Sequence, residues 1–204
     1  MFVVDDDPSV QKGLVRLLVS AGYQVRGFLS AQTFLAEYRP VAPACLILDL
    51  QMPEVTGLDL LETLRVTDSA LRVIFVSGRG DVPATAKAMK LGAVDFLTKP
   101  VDEAVLLDAV ASASRLSTEL WIVREEHARL SERHNRLTPR EREVCALVAR
   151  GLLNKQIASD LGASEKTIKV HRARVMTKLG VGSVAELVRF VDRLNVTSPR
   201  PPEA

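Results

Sequence analysis

Residues 45 to 53 read CLILDLQMP, and Cys45-Leu46-Ile47-Leu48 runs straight into a carboxylate, Asp49. Four apolar residues in unbroken series read as a strand buried on both faces, the habit of parallel sheets. A turn containing Met52-Pro53 follows. A charge placed directly after a buried strand needs a purpose at the sheet edge.

Working outward, similar apolar runs occur at Phe2–Val4, Gln24–Phe28, Arg72–Val76 and Val94–Leu97. Helix-forming stretches separate them near 8–20, 31–39, 57–66 and 82–91, with another from 102 onward. Asp7-Pro8 supplies a capping carboxylate and a proline in the first helical turn. Gly22 and Gly92 suit helix ends. Five β units alternating with helices predict a doubly wound, five-stranded parallel sheet covered on both faces. Such sheets carry their chemistry at the carboxyl ends of the strands.

The 204 residues are 47% hydrophobic and 25% charged, the composition of a globular chain with one or two domains. No apolar run approaches the ~20 residues of a membrane span. The segment MFVVDDD lacks a basic head before an apolar stretch, so a cytoplasmic location is expected. Cys45 and Cys145 have no metal-ligand spacing and read as buried thiols. The net charge of +2 divides unevenly: residues 1–118 carry −3 and residues 119–204 carry +5. The basic half points towards nucleic acid.

At the strand ends stand Asp5, Asp6, Asp7, Asp49, Ser77 and Lys99. Converging carboxylates repel unless a cation lies among them, and a few hard oxygen donors suit Mg²⁺. A hydroxyl and an ammonium beside them complete a site for a phosphoryl group, with one aspartate able to act as nucleophile. Asp7, before Pro8, reads as a helix cap.

The segments VVDDDPSV, LILDLQMPEVTGLDLL, VSGRGDV and GAVDFLTKP resemble the receiver domain of bacterial two-component response regulators. The resemblance implies a flavodoxin-like fold with Asp49 as phosphoacceptor. It implies Mg²⁺ held by Asp6, Asp49 and the backbone carbonyl of Gln51, with Asp5 acting through a water. Lys99 would pair with the phosphoryl oxygens, before a cis bond to Pro100, and Ser77 and Phe96 would form the switch pair. Phe96 lacks the hydroxyl of the tyrosine often found at its position.

From 102 the pattern is helical. Leu106, Ala109, Ala113, Leu116, Leu120, Val123, His127, Leu130, His134 and Leu137 follow heptad spacing. Either a coiled coil with a second copy or one amphipathic helix resting on its own chain satisfies it. Thr138-Pro139-Arg140-Glu141 is a capping box opening a helix that ends at Gly151. Asn154 and Ser164 are candidate caps for helices ending at Gly162 and Gly180, and Ser183–Glu186 opens a fourth.

In the 164–179 helix, Ile168, Val175 and Leu179 share one stripe at about 100° per residue. Five basic residues and no acid lie between Lys166 and Lys178. Preceded by a short helix and a glycine turn, it reads as a recognition helix. The stretch LTPREREVCALVARGLLNKQIASDLGASEKTIKVHRARVMTKLGVGSVAELV resembles the DNA-binding domain of the NarL/FixJ and LuxR families. That resemblance places Lys169, Val170 and Ala173 towards bases, and Asn154, Lys155, Thr167, Arg172, Arg174 and Lys178 near phosphates.

The whole implies a receiver domain at 1–118, a helical linker at 119–136, an all-α four-helix helix-turn-helix domain at 137–196 and a disordered tail at 197–204. It implies a FixJ-like transcription regulator, not an enzyme, in which a sensor histidine kinase phosphorylates the aspartate. Homodimerisation, binding to double-stranded DNA and activation through RNA polymerase would follow. A Mg²⁺-dependent phosphohydrolase and a constitutive or ligand-sensing LuxR-type DNA binder are the competing readings.

Overall fold

A computed structural model describes residues 1–68, 70–78 and 82–196; the expected tail at 197–204 and residues 79–81 of the VSGRGDV stretch lie outside the described residues. The chain divides into two compact units, Met1–Ile122 and Val123–Ala204.

In the first unit, β1 (Phe2–Val4), β2 (Arg26–Phe28), β3 (Cys45–Leu48), β4 (Arg72–Ser77) and β5 (Asp95–Thr98) form a parallel sheet in the order β2-β1-β3-β4-β5. Between them run α1 (Pro8–Ser20), α2 (Ala31–Glu37), α3 (Gly57–Thr67) and α4 (Val82–Lys90), and α5 (Glu103–Asn135) follows. Side-chain alternation along the strands divides the core. Val4, Leu46, Leu48, Val73 and Phe75 meet α2, α3 and α4 on one face. Val3, Cys45, Ile47, Ile74 and Val76 meet α1 and α5 on the other. The unbroken apolar runs are thereby explained, because each strand must satisfy two hydrophobic layers. Strand order reverses direction between β1 and β3, so the crevice at their carboxyl ends is the switch point of the sheet.

Element boundaries differ from the sequence expectation by one or two residues. The edge strand β2 is confined to Arg26–Phe28, β4 extends to Ser77, and β5 is shifted to Asp95–Thr98. Pairing sets these limits, and strand ends are where apolar pattern informs least. Asp7 caps α1 by accepting the N–H of Ser9 at 2.7 Å, and Gly22 and Gly92 close helices with φ of 90° and 92°.

At the amino-terminal end of the sheet, buried polar groups are linked in series. The Tyr38 hydroxyl donates to Asp68, which also accepts the Ala70 N–H at 3.0 Å. The Ala70 carbonyl accepts the Ser117 hydroxyl at 2.7 Å, and Ser117 Oγ accepts the Ala44 N–H at 2.9 Å. One α5 side chain with no exposed surface thus ties together the loops preceding β3 and β4.

The second unit contains the end of α5 with α6 (Pro139–Ala149), α7 (Asn154–Asp160), α8 (Glu165–Leu179) and α9 (Val184–Val196). Its core joins Val144, Val148, Ile157, Ile168, Val175, Leu179 and Leu187 to Leu130 and Leu137. The turns of α5 from 123 onward, part of the stretch read as linker, therefore pack into this unit. The Arg133 guanidinium lies 5.1 Å from the Phe190 ring centroid. It also approaches the α-carbon of Gly180, the left-handed cap of α8, where an added Cβ would stand 2.9 Å from Arg133 Nη2.

The heptad series is divided by these cores. Leu106, Ala109 and Ala113 are buried in the first unit, and Leu130 and Leu137 in the second. Only Leu116, Leu120 and Val123 of its large apolar members are exposed. Both cysteines are buried and free, and burial pushes the Cys45 thiol up to about 12.

Ser117→Ala strands the Ala44 N–H and removes a donor from the Ala70 carbonyl. A loss of about 1–3 kcal/mol in first-unit stability is expected. Denaturant unfolding, together with faster hydrogen exchange at the Ala44 amide, checks it.

Candidate functional site

The carboxyl ends of β1, β3 and β5 bring three predicted residues together. Lys99 Nζ donates to Asp5 Oδ2 at 2.7 Å and to Asp49 Oδ1 at 2.9 Å. Both aspartates are almost fully buried, at 1% and 5% exposure. Backbone donors hold the other oxygens: Asp5 Oδ1 accepts the Asp7 N–H at 3.0 Å, and Asp49 Oδ2 accepts the Gln51 N–H at 2.8 Å. The Lys99–Pro100 peptide bond is cis. Burial raises the Asp5 carboxyl above its ordinary value, with Lys99 opposing that shift. Burial alone would lower the Lys99 ammonium, but its hydrogen bonds to Asp49 and Asp5 prevail and hold it high.

Asp6, the next residue after Asp5, is exposed and lines a cavity of about 460 Å³ with Leu29, Ser30, Gln32, Met52, Pro53 and Glu54. In its lining Glu54 adopts φ 66° and accepts the Gln32 amide at 2.7 Å. Ser77 is buried at the end of β4, and Phe96 is half-buried on β5. Phe75 and Phe96 are paired across β4 and β5, with ring centroids 6.0 Å apart at 28°.

Among the described residues no group of three or more His, Cys, Asp and Glu side chains is arranged to hold a metal ion. The donors present still fit Mg²⁺, which commonly takes one or two carboxylates and keeps several waters. One ammonium faces Asp5 and Asp49, with Asp6 adjacent in the chain, so negative charge exceeds positive at this edge. Chemically, the site offers a carboxylate oxygen at a cleft, a fixed cation for an incoming anion and a nearby hydroxyl.

On α8, Ile168, Val175 and Leu179 are buried. Lys166, Thr167, Lys169, Val170, Ala173, Arg174 and Thr177 are exposed on the far side, Val170 at 45%. Lys169 pairs with Glu165 at 3.5 Å along the same helix. Such exposed pairs are weak and yield readily to a polyanion.

Four of the predicted phosphate contacts have intramolecular work as well, Thr167 through a 2.8 Å hydroxyl–hydroxyl contact with Ser164 at the start of α8. Asn154 is not the cap of α7: Leu153 occupies that position, and the side-chain carbonyl of Gln156 accepts its N–H at 2.8 Å. Asn154 instead stands in the first turn, where Oδ1 accepts from Arg172 at 3.0 Å, joining α7 to α8. Lys178 donates to Glu141 at 2.6 Å, tying α8 to α6. Lys155 is exposed beside Asn154.

Glu141 is the residue whose importance the sequence understated. As the third residue of the Thr138 capping box it was legible, and it accepts the Thr138 N–H at 2.8 Å. Its second partner lies 37 residues away. No local pattern encodes that pair. Its carboxyl is pulled down to about 2, first by Lys178 and then by the Thr138 N–H.

The description "response regulator receiver domain" matches residues 1–111, and "bacterial regulatory proteins, luxR family" matches residues 135–191. The chain belongs to the response regulators with a luxR-type DNA-binding domain. Response regulator protein TodT of Pseudomonas putida strain F1 is 42% identical over 95% of this chain and 86% of its own. Transcriptional regulatory protein FixJ of Azorhizobium caulinodans is 42% identical over 92% of this chain and 89% of its own. Among solved structures, response regulator StyR shares 46% identity with a TM-score of 0.82, covering 94% of this chain and 97% of that one. Full-length FixJ from B. japonicum shares 38% with a TM-score of 0.56, covering 96% of each chain. The family is one of transcription regulators, and no described helix of this member is long and apolar enough to cross a membrane.

The Glu141–Lys178 pair gives the second unit a pH dependence of defined sign. A carboxyl held below its ordinary 4.5 contributes stability that is present above that pH and fades as pH falls towards about 2. Lys178→Met is expected to lower the thermal midpoint at neutral pH and to flatten its decline across that acid window. Melting curves followed by circular dichroism check both effects.

Proposed function

We propose that a sensor histidine kinase phosphorylates Asp49 and that phosphorylation promotes pairing of two copies on double-stranded DNA. An Asp49 carboxylate oxygen attacks phosphorus, the phosphorus–nitrogen bond of the kinase phosphohistidine breaks, and the imidazole nitrogen leaves with the electron pair. The product is an acyl phosphate. The observation that carries this reading is the ammonium of Lys99 bridging Asp5 and Asp49 at the sheet's switch point.

When bound, Mg²⁺ would offset charge on the phosphoryl oxygens. Asp6, Asp49 and the Gln51 carbonyl would hold it, with Asp5 contributing through a water. Lys99 stands ready to exchange its Asp49 contact for a phosphoryl oxygen. Ser77 would donate a hydrogen bond to the same group, and Phe96 would follow Ser77 as the second member of the switch. Mass spectrometry after treatment with acetyl phosphate and Mg²⁺ tests the first step. The wild type should gain one phosphoryl group at Asp49, and Asp49→Asn should not. A folded wild-type protein that stays unmodified would sink the reading.

On DNA, the exposed face of α8 supports a major-groove contact, with Val170 and Ala173 against base edges and Lys169 among them. Thr167, Arg174 and Lys155 would meet phosphates. Asn154, Arg172 and Lys178 would reach phosphates from positions that their internal bonds already fix. Arg174→Ala should weaken binding to all sequences alike and reduce the magnitude of the salt slope by about 1. Titrations at several salt concentrations on operator and random duplexes measure this. Dimerisation through α5 would use Leu116, Leu120 and Val123, since Leu130 is committed to its own core. Leu116→Glu with Leu120→Glu is expected to lower the phosphorylated dimer fraction in analytical ultracentrifugation. An unchanged fraction would direct attention to α4 and β5. Activation of transcription in the cytoplasm, by contact with RNA polymerase at the promoter, completes the proposal.

A further inference from the structure

Gly57, the first residue of α3, lies against the acid site more closely than any side chain would permit. A Cβ built there would be 2.3 Å from the Asp49 carbonyl oxygen and 2.8 Å from Cε1 of Phe75. Its φ is not among the positive values, so the requirement for glycine here is room and not backbone freedom. The Gly57 N–H donates to the Leu50 carbonyl at 3.0 Å, which fastens this helix start to the strand end carrying Asp49. Phe75 has no exposed surface. Its α-carbon is paired with Leu48 of β3 on one side and Phe96 of β5 on the other. Its ring stacks on Phe96.

These contacts form a continuous packed series: Asp49 backbone, Gly57 α-carbon, Phe75 ring, Phe96 ring. Protein interiors are close-packed, so a shift at one member must be taken up by the next. Ser77 lies two residues beyond Phe75 on the same strand and sheet face, so the hydroxyl at the acid site and the ring beneath it share one backbone. Phe96 has no hydroxyl to exchange partners with, which leaves ring packing as the physical link between it and the site.

We propose that Phe75 is a positioning residue that carries the state of the Asp49 loop to Phe96, with Gly57 as the point where the loop bears on the ring. The proposal rests on the reading of Asp49 as phosphoacceptor. Phe75 touches no reacting atom in this account. It transmits displacement.

The test places 4-fluorophenylalanine at position 96 of the full-length protein and records its fluorine resonance before and after acetyl phosphate and Mg²⁺. The same sample is weighed by mass spectrometry. In the wild-type background the resonance should move when Asp49 gains its phosphoryl group. In Phe75→Leu the mass gain should persist and the movement should be lost. Phe75→Met, which preserves volume better, serves if the leucine variant does not fold. Phe34→Leu is the control, because that ring belongs to the same core but meets Phe28 edge-on and stacks on Tyr38. It should leave the movement intact.

A resonance that still moves in the Phe75 variant overturns the relay. So does a control that abolishes the movement, since a general loosening of the core would then explain it. A folded Phe75 variant that no longer gains the phosphoryl group also overturns it, by placing Phe75 in the integrity of the site itself. Wild-type protein that gains mass without movement at position 96 removes the relay alone. Wild-type protein that never gains mass removes the phosphoacceptor reading, and the relay with it.

Discussion

One ammonium shared between two buried carboxylates organises the first unit. Asp5 and Asp49 end neighbouring strands, and without a cation between them their charges would oppose the pairing of β1 with β3. Lys99 arrives from the end of β5, two strands away from β3, and reaches both. Its position depends on the sheet, because the parallel order β1-β3-β4-β5 carries that strand end to the same edge. The fold therefore creates the site and the site constrains the fold. Any anion that draws Lys99 away from Asp49 disturbs the contact that holds this edge together.

The second unit uses charge differently. Glu141 is buried, yet it is kept ionised by Lys178 and the Thr138 backbone. The bonds Lys178–Glu141 and Arg172–Asn154 fix α8 against α6 and α7. They leave Lys166, Lys169 and Arg174 on the opposite face. Helix α8 thus separates its basic residues into two sets, one that positions the helix and one that faces outward. A phosphate backbone would meet a surface whose orientation is already set, which lowers the ordering cost of binding.

Much of this was legible because local rules and global fold agree. The run CLIL reads as a strand with two covered faces, which places the carboxylate after it at a sheet edge, and the structure has both. Asp7-Pro8, Thr138–Glu141 and Ser164 announced helix starts that the structure contains. What stayed hidden was long-range. Ser117 reads as an ordinary helical serine until the loops at Ala44 and Ala70 fold against it. Asn154 has the chemistry of a cap, but Gln156 takes the backbone role one residue earlier. The heptad series is regular in spacing and divided in fate, because two separate cores draw on it and spacing cannot say which core claims which leucine.

Gly180 shows how such shared claims meet at one position. Helix caps in the left-handed region commonly accept asparagine in place of glycine. The guanidinium of Arg133 rests where a side chain would begin, over the ring of Phe190. Asparagine could adopt the angle, and only the mobile end of Arg133 would have to yield to its Cβ. The residue that stops α8 is therefore also a neighbour of the cation that covers an aromatic ring.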